Sequence, residues 1–274
     1  MSNAIKYTFH SHTYRCGHAS GDIEDYVKIA IDNGIKYYGV SDHVFLPGLC
    51  QPGTRGDFNL LDDYINVFHQ VEEKYKSKIH LFLSFECEYS KVYVDYYRSL
   101  LKEKGFDYLI CGQHMGINLD KSYHWYLDGE IEGFIRYKND VIDAMKSGLF
   151  LYIAHPDLFF LRVSQITPEI TLICDEIIDA SIKYNVPLEF NLHGLYRKER
   201  ENRKGFISYP ADYFWQRVSR KDVKVIIGGD YHSPIEINNE EMPNEALKIS
   251  KKYNLKLMSP KEIIERIEEM RIKR

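Results

Sequence analysis

Residues 5–12 read IKYTFHSH, an apolar run that ends in two histidines. The run from Ile5 to Phe9 has the composition of a short buried strand. Residues i and i+2 of an extended chain point the same way, so His10 and His12 can present both imidazoles to one ion. The stretch therefore predicts a strand whose carboxyl end carries metal ligands.

Six further apolar runs are bounded by turn residues and also predict strands: Lys36 to Val40, Ile79 to Phe85, Asp107 to Cys111, Phe150 to Ala154, Val186 to Phe190 and Val223 to Ile227. Between them lie segments with helical periodicity: Asp22 to Asn33, Leu60 to Ser77, Tyr93 to Lys104, Ile131 to Ser147, Pro168 to Tyr184 and Pro210 to Ser219. This alternation is typical of βα units and predicts an α/β fold.

Four stretches that follow strands lack clear periodicity and are expected to be functional loops. They are Val44 to Asn59, Gln113 to Gly129, Leu158 to Thr167 and His193 to Ser208. Beyond them, Asn244 to Arg274 predicts two charged helices around a short apolar stretch.

Histidines and acids stand at or just beyond the end of every predicted strand. The second to seventh predicted strands each end in a pair of polar residues, at least one of which is a histidine or an acid: Asp42 and His43, Glu86 and Glu88, Gln113 and His114, His155 and Asp157, Asn191 and His193, and Asp230 and His232. In a βα barrel these ends converge on one face. Imidazole and carboxylate ligands suit zinc, iron, manganese or cobalt rather than calcium.

The composition is that of a globular protein. No linker or composition shift divides the chain, so we expect one domain over residues 1–274. Its 36 basic and 40 acidic residues give a net charge of −4, which offers no general attraction to nucleic acid or to an anionic membrane. No apolar run has the length of a membrane span, and the amino terminus lacks a signal-peptide pattern. A cytoplasmic location is expected. The five cysteines have no CxxC spacing and predict packed thiols.

Several motifs together resemble those of the polymerase and histidinol phosphatase (PHP) family. They are FHSH (9–12), His18, SDH (41–43), FE (85–86), GQH (112–114), AHPD (154–157) and GDYH (229–232), in order over nearly the whole chain. Within the family, HSHTYRCGHASG (10–21) and AHPDLFFLR (154–162) are similar to the stand-alone phosphatases. The resemblance implies a distorted TIM-like (β/α)7 barrel with a metal site at the carboxyl ends of the strands.

Motif by motif, the resemblance implies three divalent metal ions, of zinc, manganese, iron or cobalt. The first would be held by His10, His12, Glu86 and Asp230. Glu86 would bridge to a second, completed by His114 and His155, and the third would be held by His18, His43 and His232. Glu88 shares a face with Glu86, so position alone leaves either as the bridging ligand, and the family pattern favours Glu86.

The implied activity is metal-dependent hydrolysis of L-histidinol phosphate, with Asp230 and Glu86 at the reacting centre. By the same resemblance, Arg162 and Arg197 would bind the phosphate, since guanidinium groups suit phosphoryl oxygens. Arg15, Arg55, Arg200 and Arg203 are rivals for that role. Glu88, His124 and Asn191 are candidate contacts for the rest of the substrate, and Asp157 and His193 are possible proton donors to the leaving group.

Three alternatives stay open at the level of sequence. The chain could hydrolyse another small phosphomonoester, such as a nucleotide or phosphotyrosine, or it could be a non-catalytic metal-binding module. Amide or amine hydrolysis is the third, although related metal barrels with that activity usually have a lysine as the bridging ligand where this chain has Glu86. In each case we expect no nucleic-acid or membrane partner, and the sequence does not indicate an oligomeric state.

Overall fold

Short parallel strands alternate with helices along the chain. The structure, a computed structural model, describes residues 5–126, 129–200 and 205–274. The strands are β1 (Tyr7–Thr8), β2 (Tyr37–Val40), β3 (His80–Leu83), β4 (Glu86–Cys87), β5 (Ile110–Cys111), β6 (Met115–Ile117), β7 (Tyr123–Trp125), β8 (Leu188–Asn191), β9 (Lys224–Gly228) and β10 (Lys256–Leu257). The helices are α1 (Ile23–Asp32), α2 (Leu61–Tyr75), α3 (Val94–Glu103), α4 (Ile131–Ser147), α5 (Pro168–Tyr184), α6 (Leu192–Arg200), α7 (Asp212–Val218), α8 (Glu241–Lys252) and α9 (Pro260–Ile272).

Three sets of strands pair in parallel: β1 with β2 and β3, β4 with β5, and β8 with β9 and β10. Single parallel bridges connect these sets, from His43 to Glu86 and from Ile153 to both Cys111 and Leu188. A further bridge joins Ser11 to Tyr231, beside the hydrogen bond from the His12 amide to the Tyr231 carbonyl (2.8 Å). Single parallel bridges thus link these sets of strands in chain order, and one more bridge lies between the segments that follow β1 and β9.

Local sequence explains where the long helices begin. Asp22 and Asp25 form a capping box at the start of α1, and Ser259 and Glu262 form another at α9. At α5, Thr167 caps the amide of Ile170 and proline occupies the first turn, where its missing N–H costs nothing. The predicted bounds of α4 and α5 agree with the structure.

Three predicted features differ from the structure. The predicted strand Phe150 to Ala154 forms no extended strand: Ile153 makes isolated bridges, and Leu151 and Ala154 donate single backbone hydrogen bonds to the neighbouring segment. The predicted loop Gln113 to Gly129 contains the antiparallel hairpin β6–β7, and His193 to Ser208 begins within α6. Both segments are rich in polar residues, which concealed their order. The two charged helices near the carboxyl end are present as α8 and α9.

The strands are covered by a continuous apolar core in which Ile153 is fully buried. Within the described ranges, no helix combines the length and the apolar character needed to cross a bilayer.

Substituting Ile153→Ala is expected to lower the free energy of unfolding by about 2–5 kcal/mol, because it leaves a cavity between two strand segments. Ile272→Ala, at a side chain that is 85% exposed, is the matched control and should change it by less than about 0.5 kcal/mol. Chemical denaturation of both variants measures the difference. Equal effects would contradict the placement of Ile153 in the core.

Candidate metal centre

The strand ends bring the predicted polar residues together at one open cavity. Its volume is about 400 Å³. The lining residues are His18, His43, Gly53, Thr54, Glu86, His114, Trp125, His155, Leu158, His193, Arg197, Tyr209, Asp230 and His232. Imidazoles from several different strand ends therefore face a common space.

Glu86 lies at the centre of this cluster and is 1% exposed. Its Oε1 lies 2.7 Å from Nε2 of His155, and its Oε2 lies 3.1 Å from Nδ1 of His43. Further imidazole nitrogens lie 3.5 to 3.7 Å from its oxygens, those of His10, His12 and His114. One carboxylate thus contacts five imidazoles from four chain segments, the geometry expected of a bridging ligand.

The donor atoms of His10 and His12 face each other. Their Nε2 atoms are 3.2 Å apart, and His12 Nε2 lies 3.0 Å from Oδ1 of Asp230. At this separation the two nitrogens cannot both carry a proton, and without a proton between them their lone pairs repel. A shared cation would bind both lone pairs and the Asp230 carboxylate. The residues present therefore fit a divalent metal ion.

A second pair of facing nitrogens lies at the outer edge of the cavity. Nε2 of His18 is 3.2 Å from Nε2 of His232, and the His43 ring lies 5.2 Å from the His18 ring. Four overlapping groups have donor atoms spaced for a metal: His12, His43 and His232; His10, His155 and Asp230; His10, His12 and Glu86; and His43, Glu86 and His114.

Charge compensation within the cluster shifts the pKa values of its members. Burial alone would raise the pKa of the Glu86 carboxyl, but the nearby His10, His114 and His43 hold it well below its usual range. Burial similarly opposes ionisation of Asp230, yet its histidine neighbours keep its pKa well below the usual value. Both carboxyls are thus anionic at neutral pH, as metal ligands must be.

His155 and Asp230 hold backbone conformations that side chains other than glycine rarely adopt, with φ of 30° and 51°. Such conformations cost on the order of 1–3 kcal/mol and persist only where surrounding contacts hold them. Here the contacts include hydrogen bonds donated by the amides of both residues: the His155 amide donates to the Glu189 side chain, and the Asp230 amide donates to the His10 carbonyl.

The structure turns Glu88 away from the cavity. Its Oε1 accepts from the buried Arg55 guanidinium (2.9 Å) and from Nδ1 of His114 (3.0 Å). With Nδ1 donating, Nε2 of His114 is left to face Glu86. This placement differs from the predicted substrate contact because Arg55, on a distant loop, supplies the charge that draws Glu88 inward.

Asn191 also lies outside the cavity lining. Its side-chain amide donates to Glu189 (2.8 Å) and to Asp230 Oδ2 (3.1 Å), while its oxygen accepts from the Gly194 amide. Asn191 therefore supports Asp230 instead of reaching toward the cavity. Glu189 was not among the predicted site residues; its position two residues before Asn191, on the same face of β8, was the available signal.

The hairpin β6–β7 places Trp125, rather than the predicted His124, at the cavity. Successive residues of a strand face opposite sides, so His124 points away from the Trp125 side and its ring packs edge-to-face on Tyr126 (centroids 5.3 Å apart). The buried side chain of Gln113 fixes the hairpin by donating to the Met115 carbonyl (3.0 Å).

The two arginines predicted to bind phosphate lie in different places. Arg197 lines the histidine-rich cavity, where α6 places it one turn beyond His193. Arg162 is exposed and lines another cavity, with Phe134 and Ile170. The short 3-10 turn Leu158–Arg162 buries its apolar side chains and leaves Arg162 on the outer surface.

The rival arginines have other partners or positions. Arg15 is buried against Asp63 (2.8 Å) and Asp22, and the Arg200 guanidinium lies 4.1 Å from the centre of the Tyr196 ring. Arg203 lies outside the described residues.

The two possible proton donors are also separated. Asp157 accepts from the Ala211 amide (2.7 Å) and the Trp215 indole (3.0 Å), and burial raises its pKa to about 6. It anchors α7 and does not line the cavity, whereas His193 does, with its ring 4.7 Å from that of His232.

Parallel strands that deliver clustered imidazoles and carboxylates to one cavity define the class: an α/β protein with a site suited to divalent metal ions. The chain belongs to the PHP domain family, whose model matches residues 8–193. Two relatives, from Deinococcus radiodurans and Schizosaccharomyces pombe, are each named "probable histidinol-phosphatase". Each relative is 24% identical to this chain, and each match covers 83% of this chain. The matches cover 86% of the D. radiodurans protein and 81% of the S. pombe protein.

A solved structure shares the fold. The histidinol phosphate phosphatase of Lactococcus lactis, complexed with zinc, L-histidinol and phosphate, superposes with a TM-score of 0.68 at 18% identity. The similarity covers 92% of this chain and 95% of that one.

We expect His43→Ala to reduce the zinc bound per chain, because His43 contributes to two of the four metal-spaced groups. His69→Ala is the matched control, since His69 is exposed on α2, does not line the cavity, and contacts Glu72 and the Phe68 ring. Elemental analysis after zinc reconstitution and desalting measures both. Equal zinc content in the two variants would contradict a metal role for His43.

Proposed function

We propose that this protein is a metal-dependent phosphomonoesterase that converts L-histidinol phosphate and water into L-histidinol and phosphate, a late step of histidine biosynthesis. The observation that carries the proposal is Glu86, buried at the centre of five imidazoles at the base of an open cavity. The names of both curated relatives and the zinc, L-histidinol and phosphate bound to the L. lactis neighbour support it.

The architecture proposed for this activity is a distorted (β/α)7 barrel, one domain over residues 1–274. The bridge between Ser11 and Tyr231 supports closure, because it pairs the segments that follow β1 and β9. Hydrogen bonds on both sides of that bridge, at His12 and Asp230, lend further support.

The proposed cofactors are three divalent ions of zinc, manganese, iron or cobalt. The proposed ligands are His10, His12, Glu86 and Asp230 for the first, Glu86, His114 and His155 for the second, and His18, His43 and His232 for the third. The facing nitrogens of His10 and His12, and of His18 and His232, support two of these groupings. Such ions polarise phosphoryl oxygens and lower the pKa of water.

The chain's own residues supply binding and orientation. Arg197 is the proposed phosphate contact, because its permanently charged, planar guanidinium lies on the same cavity wall as His193. Arg162 is not assigned this role, since it borders the separate cavity near Phe134.

The histidinol portion of the substrate needs a surface for its imidazole and its ammonium group. Glu86 and Asp230 are the carboxylates that line the cavity in the described ranges, and both face the imidazole cluster. Trp125 is 47% exposed and lines the same cavity. Its indole can stack on an imidazole and attract an ammonium group, so it is the proposed recognition surface.

Metal-reconstituted protein should release phosphate from L-histidinol phosphate, and Arg197→Ala should lower kcat/KM on the order of 100-fold by removing charge stabilisation of the phosphoryl group. Arg162→Ala is the matched control and should stay within about twofold, since Arg162 does not border this cavity. Phosphate release against a panel of phosphomonoesters measures both. Selective turnover of another ester would replace the substrate, and no turnover by metal-loaded protein would reject the proposal.

Replacing Trp125→Ala should raise KM for L-histidinol phosphate roughly tenfold while changing KM for glycerol phosphate little, because the indole would contact only the imidazole and ammonium groups. Tyr123→Ala is the control, since Tyr123 is 44% exposed on the same hairpin but does not line the cavity. A parallel loss with both substrates would reject Trp125 as the recognition surface.

A further inference from the structure

Behind the candidate metal centre lies a carboxylate that is completely buried. Glu189, on β8, is 0% exposed and does not line the cavity. Its Oε1 lies 2.8 Å from Nδ1 of His10. An ionised carboxylate oxygen only accepts hydrogen bonds, so Nδ1 of His10 carries the proton. Nε2 of His10 is then unprotonated, and its lone pair is directed toward Glu86 and Asp230, where it can bind a metal ion.

The other oxygen of Glu189 contacts two more donors. Oε2 accepts from the His155 amide (3.0 Å) and from the side chain of Asn191 (2.8 Å). The same Asn191 amide nitrogen also lies 3.1 Å from Oδ2 of Asp230. Glu189 therefore reaches three proposed ligands: the ring of His10, the backbone of His155 and, through Asn191, the carboxylate of Asp230.

The neighbouring strand is shaped around this side chain. A Cβ atom on Gly228 of β9 would lie 1.7 Å from Oε1 and 2.5 Å from Cδ of Glu189. The nearest atoms that it would meet all belong to Glu189, so the Glu189 carboxylate occupies the space that a side chain at position 228 would need.

Stability alone does not explain a buried carboxylate at this point of the core. Taking such a group out of water costs several kcal/mol, and well-packed apolar residues commonly replace buried charges without loss of stability. Every contact of Glu189 described above is instead directed at a proposed metal ligand or at the residue that supports one. Carboxylates that accept from ligand imidazoles fix the tautomer and the ring orientation.

We propose that Glu189 is a positioning residue for the metal centre: it holds Nε2 of His10 toward the ion, fixes the backbone at His155, and aligns Asp230 through Asn191. The inference rests on the proposed metal site, although not on the identity of the substrate.

The test measures metal binding by titrating the metal-free protein with zinc or cobalt. Glu189→Ala should weaken the affinity of at least one ion by about 10–100-fold, the usual effect of removing such a partner. It should also change the visible absorption spectrum of the cobalt-loaded protein, because the orientation of a ligand changes. Leu100→Ala, at a fully buried position of α3 with no described contact to Glu189, is the destabilised control, and it should retain the wild-type affinity and spectrum.

A second variant displaces the carboxylate without removing it. Gly228→Ala should weaken metal binding like Glu189→Ala, and the double variant should be no weaker than Glu189→Ala alone, because the added methyl group then has no carboxylate to displace. Wild-type metal affinity in Glu189→Ala, or additive losses in the double variant, would overturn the inference. Wild-type protein that binds metal but hydrolyses no phosphate ester would reject the proposed function while leaving these metal titrations decisive.

Discussion

The structure depends on one electrostatic constraint: the Glu86 carboxylate is buried with five imidazoles around it. Such a group is tolerated in a protein interior only when charge and hydrogen bonds compensate for lost hydration. The backbone makes room for it, since a Cβ on Gly112 would lie 1.8 Å from Oε1. Short strands suffice for this purpose, because each one needs only to deliver its last residues to the cluster.

A second layer of acidic residues holds the imidazoles from behind. Glu88 accepts from His114, and Glu189 accepts from His10. The Asp42 carboxylate accepts hydrogen bonds from the amides of Thr13 and His43 and from the Thr13 hydroxyl. Its Oδ1 lies 3.7 Å from Nδ1 of His12. The inner nitrogens are therefore aimed before any ion arrives, which reduces the reorganisation that binding requires.

The sequence predicted the histidines that surround Glu86 better than the acidic residues that contact those histidines from behind. His10 and His12 follow from i, i+2 spacing on one strand, a local rule that needs no knowledge of the fold. The position of Glu88 could not be predicted in this way, because it depends on Arg55, which is 33 residues away along the chain. For Glu189, the spacing to Asn191 within β8 was the one local signal, whereas its contacts with His10 and His155 come from distant segments that periodicity does not reveal.

The residues beside the metal centre follow a different logic. Arg197 lies on α6 and Trp125 on the hairpin β6–β7, in two segments whose lack of clear periodicity predicted loops. Neither belongs to the parallel ladder that carries Glu86. The ladder thus constrains the metal chemistry, while these attached segments are free to set which phosphate ester fits. Sequence motifs at strand ends therefore identify the family more securely than the substrate, which depends on side chains that the motifs do not include.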